Sequence, residues 1–171
     1  MNPIIYNLSV NSSSISKITS LFIGVVLSEP IGIYFFMVSI FSEIFNFGIK
    51  NIIKQARPKG AKNCSGYVTF NKTSKSFGMP SGHSESIGLF TSFWLLYLWD
   101  KYKEENNISI LNIIAIFLIL LISLYVPYSR ILIGCHSVSQ VIVGYIIGII
   151  LGTISYKLYK SHFEEEFNKL K

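Results

Sequence analysis

The sequence predicts an all-α integral membrane protein, a single bundle of four to five membrane-spanning helices. Three observations carry that prediction. Half of the 171 residues are hydrophobic and only 14% are charged, which is too apolar for an ordinary soluble domain. The apolar residues fall into five runs separated by polar or charged stretches. The basic residues behind the net charge of +6 lie between those runs, not along one soluble face. That placement argues against nucleic acid as a partner and for a membrane protein that handles anionic head groups.

Residues 1–14 read as a polar N-terminal arm. Residues 1–20 have no basic region ahead of an apolar core, so no cleaved signal peptide is expected. The first apolar run, Ile15 to Leu27, is shorter than the roughly 20 residues of a perpendicular span. It either crosses the membrane or lies at its surface, and Glu29-Pro30 ends it. The second run, Pro30 to Ile49, is long enough to cross and carries one acid, Glu43. A carboxylate at that depth calls for a polar interior or a partner. Glu43, Asn46 and Lys50 follow spacings of three and four, which places them on one helix face.

Residues 50–80 form a polar connection with seven basic residues (Lys50, Lys54, Arg57, Lys59, Lys62, Lys72, Lys75) and no acid. The third run, Ile87 to Trp99, ends in Trp94, Tyr97 and Trp99, a group typical of a membrane interface. Asp100 to Asn107 reads as a short charged turn. The fourth run, Ile108 to Val126, is the clearest span, and Pro127 is expected to stop it. The fifth, Val138 to Tyr156, carries Gly144, Gly148 and Gly152 at four-residue spacing, a stripe that permits close helix packing. Residues 157–171 read as a solvated or interfacial charged tail, and the whole chain as one domain. Cys64 and Cys135 match no metal signature. They are expected as small apolar residues, not as a bridge.

Three polar clusters stand out from this layout. Lys50-x6-Arg57-Pro58 follows the second run, and Pro80-Ser81-Gly82-His83 precedes the third. Ser129-Arg130-x5-His136 lies between the fourth and the fifth. No span separates the first cluster from the second, and two spans separate the second from the third, so all three reach the same membrane face. In the middle cluster Pro80 suits a first helical turn, Ser81 a cap and Gly82 a close backbone approach. His83 then sits beside free N–H groups at the positive end of a helix, a natural anion site. Two arginines and a lysine supply charge and donors for a phosphoryl group. Two histidines supply a nucleophile and a general acid. Phosphoryl transfer asks for little more than such positioning and charge neutralisation.

The three clusters together resemble the signature of the type 2 phosphatidic acid phosphatase (PAP2) superfamily of membrane lipid phosphatases: K-x6-RP, PSGH and SR-x5-H-x3-D. The likeness covers residues 50 to 140. It implies a PAP2-like helix-bundle core, His136 as a nucleophile that becomes phosphohistidine, and His83 as the acid that protonates the leaving group. Lys50, Arg57, Ser81, Gly82 and Arg130 would bind phosphate. No metal or other cofactor is implied, in keeping with a connection that offers no carboxylate to hold one.

The sequence departs from that signature at one position, where Gln140 stands in place of the acid. A neutral amide at i+4 reaches His136 and orients it without bearing charge. This departure, with Phe77 to Ser84, Tyr128-Ser-Arg130 and the run Glu43, Asn46, Lys50, is similar to the dolichyl diphosphate phosphatases of the endoplasmic reticulum. That likeness implies a polyprenyl (dolichyl) diphosphate substrate, cleaved to monophosphate and inorganic phosphate with the site facing the lumen. A broader phosphatidate phosphatase and an inactive phosphate-binding protein are the competing readings. Basic residues do not decide the orientation. Acceptor sequons stand at Asn63 and Asn71 in the long connection, and at Asn107 in the opposite turn.

Overall fold

The computed structural model describes residues 11–12, 14–20, 22, 29–61, 64, 77–105 and 109–163. Among them the chain is helical, with no strand. Residues 14–20 form α1. They are followed by α2 (Pro30–Ile53), α3 (Gly82–Glu105), α4 (Ile110–Leu132), α5 (Val138–Leu158) and a π-helical turn, Tyr159–Phe163. Most of the second half of the expected first span, and most of the N-terminal arm, lie outside the described residues.

Among the described residues, three helices are long and apolar enough to cross a membrane: α2, α4, and α5 with its π-helical extension. Their outward residues are large and apolar: Met37, Phe41 and Ile44 on α2, Phe117 and Leu124 on α4, Ile142, Ile146 and Ile150 on α5. A surface of that kind suits lipid. Helix α3 differs for a physical reason. At 24 residues it is about 36 Å long, enough for a hydrocarbon core of about 30 Å. Yet it packs against α2, α4 and α5 together, so its surface faces protein and tolerates serines and an acid that lipid would not.

The α3–α5 pair is the axis of the bundle. The buried stripe of α5 is Gln140, Val141, Gly144, Gly148, Gly152 and Tyr156. A Cβ at Gly144 would lie 2.5 Å from the Ser81 carbonyl oxygen, at Gly148 2.0 Å from that of Glu85, and at Gly152 2.4 Å from that of Leu89. Gly88 of α3 meets the Tyr145 carbonyl in return, at 2.5 Å. Backbone thus lies on backbone over three turns. Beyond this contact an aromatic core closes the bundle: Phe35, Phe93 and Trp94, with Ile31, Leu89, Ile119, Tyr156 and Tyr159.

Several boundaries differ from expectation. α2 runs on to Ile53, ended by Lys54 in the left-handed region with φ 52°. Lys50 therefore sits inside the last turn. α3 starts at Gly82, after Pro80, and continues through the expected turn to Glu105. Tyr156 Oη and Lys160 Nζ each donate to Asp100, both at 2.8 Å, which ties that last stretch down. The same bonds make the start of the expected tail a packed element, with Tyr159 buried. Pro127 does not stop α4. It lies within the helix, where loss of one backbone bond is outweighed by the contacts that bury Val126 before it and Ser129 and Arg130 beyond it. Trp94 is in the aromatic core, not at an interface. Glu43 does not share a buried face with Asn46: it is exposed and paired with Lys17 of α1, while Ser42 and Asn46 turn toward α3. Cys64 and Cys135 form a disulfide, 71 residues apart in sequence. Sequence spacing alone gives no sign of that approach, because it is made by tertiary contacts between residues far apart in the chain.

Replacing Gly148 by leucine should lower the melting temperature in detergent, because the new Cβ meets a backbone oxygen that no rotamer change can move. A loss of about 1–3 kcal/mol is expected. Gly48 has open space around its Cβ position, so Gly48→Ala should leave stability unchanged or raise it by up to about 1 kcal/mol.

Candidate active site

The end of the bundle where α2 and α4 finish and α3 and α5 begin gathers the three sequence clusters. Helix α5 opens with a capping box: Gln140 N donates to Ser137 Oγ at 3.4 Å, and Ser137 N donates to Gln140 Oε1 at 3.2 Å. This fixes Gln140 one turn below His136. Ser81 N donates to the Gln140 carbonyl at 2.9 Å, so the motif before α3 hangs on the first turn of α5. The Ser81 amide, expected as part of an anion nest, is used here to join two helices. Glu85 N closes the first turn of α3 on the Ser81 carbonyl at 3.0 Å.

His136 is 3% exposed and held at both ring nitrogens. Nδ1 lies 2.9 Å from the Gly78 carbonyl oxygen and 3.2 Å from Gln140 Oε1. Both are acceptors, so the proton is on Nδ1 and the lone pair is on Nε2. Nε2 faces Arg57, whose Nη1 donates at 3.0 Å. The ring is thus oriented with the Nε2 lone pair toward the basic cluster.

Gln140 does more than orient the ring. Its Nε2 donates to Gln55 Oε1 at 3.0 Å and to the Ala56 carbonyl at 2.8 Å, while Gly78 N donates to the Gln55 carbonyl at 2.7 Å. One side-chain amide therefore links α5 to the exit from α2, and Gly78 ties that exit to the segment before α3. Gly78 has no room for a side chain, since a Cβ there would lie 2.6 Å from the Gln140 amide. An acid at position 140 would lose both donor bonds. That is a structural reason for an amide that spacing could not supply.

The cations converge on the same place. Lys50 Nζ lies 3.8 Å from the Cβ position of Gly82, over the start of α3. Arg57 is half-buried, and Arg130 is fully buried with Nη2 donating to the Cys64 carbonyl at 2.7 Å. His83 is half-buried on the first turn of α3. Burial, reinforced by Arg57, Lys50 and Arg130, pushes the pKa of His136 down to about 3. A neutral imidazole is the form a nucleophile requires.

Two residues of this end went unremarked in the sequence. Glu85 is 1% exposed and accepts from Ser42 Oγ at 2.8 Å and from Asn46 Nδ2. It is the buried carboxylate beside the cluster, whereas the acid expected to face a polar interior or a partner was Glu43. An acid two residues after His83 on a helix packed inside protein was the available signal. Gln55 carried none, because its contact is wholly tertiary. Among the described residues no group of three or more His, Cys, Asp or Glu is placed to hold a metal ion.

His136 also gives the fold a pH dependence. The unfolded chain takes up its proton near pH 6.5 and the folded protein only near 3. Stability from this group is therefore lost as pH falls from 6.5 toward 3, by about 2 kcal/mol at pH 5. The melting temperature of His136→Gln should fall less between pH 7 and pH 5 than that of the wild type.

With this geometry in place, comparison with known proteins is informative. The family model of the PAP2 superfamily matches residues 31–164. The dolichyldiphosphatase of Saccharomyces cerevisiae is 35% identical over 116 residues, 67% of this chain and 46% of the yeast protein. Dolichyldiphosphatase 1 of Dictyostelium discoideum is 33% identical over 121 residues, 71% of this chain and 49% of that one. The human dolichyldiphosphatase 1 is 32% identical over 111 residues, 63% and 44%. The chain spans about half the length of the curated relatives it matches. Among solved structures, a transmembrane PAP2 type phosphatidylglycerolphosphate phosphatase from Bacillus subtilis superposes with a TM-score of 0.69, over 96% of this chain and 81% of that one. At 18% identity, that likeness speaks for the fold alone. From the first turn of α2 through the π-helical turn, this chain belongs to the PAP2 superfamily.

Proposed function

We propose that the protein is a membrane lipid diphosphatase that hydrolyses a polyprenyl (dolichyl) diphosphate to the monophosphate and inorganic phosphate. The observation that carries this reading is the imidazole of His136, neutral and held at Nδ1, with Nε2 directed at Arg57 among Lys50 and Arg130. The dolichyldiphosphatase relatives support the substrate class.

In the reaction, the terminal phosphoryl group binds Arg57 and draws its guanidinium off the Nε2 lone pair. Nε2 attacks the terminal phosphorus, and the bond from that phosphorus to the bridging oxygen breaks. The lipid monophosphate leaves with the electron pair, protonated by His83. Water, giving its proton to the now neutral His83, then attacks the phosphohistidine; the bond from phosphorus to Nε2 breaks, releasing inorganic phosphate and restoring both histidines. Lys50, Arg57 and Arg130, with the Ser81 hydroxyl and the Gly82 backbone, offset the charge of the transferring group. Gln140, reaching His136 at 3.2 Å, fixes the ring without a charge to support an imidazolium. That weaker support suits a leaving group whose second pKa is about 6 better than an alkoxide. A broad lipid monophosphatase is the second reading, and it asks more of the nucleophile than this amide provides. The charged groups of the site, cations with one acid already bonded to Ser42 and Asn46, favour a reaction without metal.

Phosphate release by purified protein from dolichyl diphosphate, dolichyl monophosphate and phosphatidate, with excess chelator throughout, tests this directly. The diphosphate should be cleaved far faster than either monophosphate, and His136→Ala should fall to background. His83→Ala should lose about 10²–10⁴-fold. Equal turnover of phosphatidate, or dependence on Mg²⁺, would sink the proposal.

We place the site on the lumenal side of the endoplasmic reticulum. The disulfide at the site end of the bundle supports an oxidising compartment there. Glycan on Asn63 or Asn71 in microsomes, with none on Asn107, is the expected pattern. The reverse pattern would turn the protein over.

A further inference from the structure

We infer that the Cys64–Cys135 cystine is a positioning element of the phosphate site, each half holding one of its two arginines. The inference rests on the reading of Arg57 and Arg130 as phosphate ligands. Arg57 Nη1 donates to the Cys135 carbonyl at 3.1 Å, and Arg130 Nη2 donates to the Cys64 carbonyl at 2.7 Å. The two cysteines thus present one carbonyl to each guanidinium, and the disulfide fixes the distance between those carbonyls, with Cα atoms 5.5 Å apart.

The rest of the loop closes the arrangement. Cys135 N and His136 N both donate to the Arg130 carbonyl, at 3.2 and 3.3 Å. The backbone between α4 and α5 is therefore wound onto Arg130, while the Arg130 side chain reaches to Cys64. Arg57 comes from the other side and touches Cys135 and, through the same Nη1, the nucleophile His136. Cys64 belongs to the connection from α2 to α3, whose described parts are anchored near its ends by Gln55 and Gly78. At Cys64 itself the covalent bond brings the carbonyl under Arg130.

This placement separates a positioning role from a mere staple. A staple stabilises wherever it closes a loop. This one is buried, with Cys135 fully enclosed and adjacent to His136. A guanidinium recognises phosphate through a planar fork of donors, and its value depends on how that plane is turned. A fixed carbonyl on one donor sets the turn. Opening the cystine would leave both arginines charged and present, but with the two carbonyls that set their planes no longer held at a fixed separation.

Tungstate, a tetrahedral oxyanion resistant to thiols and phosphines, is the probe. In detergent well below the melting temperature, Cys64→Ser, Cys135→Ser and the double variant should each bind tungstate about 10–100-fold more weakly than wild type, a loss of the size expected for charge-assisted bonds. The single variants should lose as much as the double, since either change opens the clasp. A folded variant with a lowered melting temperature but wild-type tungstate affinity would show a staple only and overturn the inference. Should the serine variants not fold, purified wild type is reduced with a phosphine and reoxidised: affinity must fall and return, and an unchanged affinity with the bond verified as open overturns the inference equally. A protein that cleaves no lipid diphosphate but binds tungstate in this cystine-dependent way would remove the substrate reading and leave the clasp standing.

Discussion

The close approach of α5 to α3 is the constraint on which the site depends. Where Gly144, Gly148 and Gly152 meet the carbonyls of Ser81, Glu85 and Leu89, the helix backbones touch. Only at that separation does the Gln140 carbonyl reach the Ser81 amide. The bond joins the first turn of the helix that carries Gln140 to the motif that carries His83. The packing of small residues, ordinary in membrane helices for the dispersion contact it allows, here sets the register of two parts of an active site. The aromatic core lies farther along the same pair and holds the axis, with Phe35 and Phe93 at 4.8 Å. The polar end carries little apolar packing of its own.

That polar end is organised by hydrogen bonds that are each shared between segments. Gln140 serves His136, Ser137, Gln55 and Ala56. Gly78 serves His136 and Gln55. Buried polar groups are tolerable only when satisfied, and sharing satisfies several with few side chains. It also makes the ends of four helices interdependent, so the site has no part that is decoration on a finished fold.

Much of this was legible in the sequence, and what was not has a common cause. The apolar runs announced the helices because lipid-facing surfaces must be continuous, and the small-residue stripe announced a close helix contact without naming α3 as its partner. Lys50, Arg57, Ser81, Gly82, Arg130, His136 and Gln140 were legible as residue types whose chemistry has few uses at a membrane surface, and the structure gathers them at one end of the bundle. Helix ends were misjudged where a tertiary bond outweighed a local stop: Asp100 is held by Tyr156 and Lys160, and Arg130 is buried beyond Pro127. Glu85, Gln55 and the cystine were missed because their meaning lies in partners 39 or more residues away. Glu43 was overrated for the same reason. Its depth along the sequence suggested burial, but a helix has two sides, and Lys17 lies on the outer one.

The charge balance of the site explains why a neutral residue at position 140 is consistent with the proposed substrate. Lys50, Arg57 and Arg130 bring three positive charges, and Glu85, bonded to Ser42 and Asn46, offsets one. Burial, with this surplus added, holds His136 neutral. A bound diphosphate would more than cancel the surplus, and the field at Nε2 would then favour the positive charge that develops as the ring attacks. The substrate thus supplies the anion that a carboxylate beside Nδ1 would otherwise provide. With an acid at position 140 the empty site would be closer to neutral, the histidine easier to protonate, and an incoming polyanion less strongly drawn. An amide keeps the attraction and the lone pair, and it leaves the stabilisation of the imidazolium to the moment when substrate is present. A monophosphate brings less charge and a poorer leaving group, so both halves of that compensation weaken together.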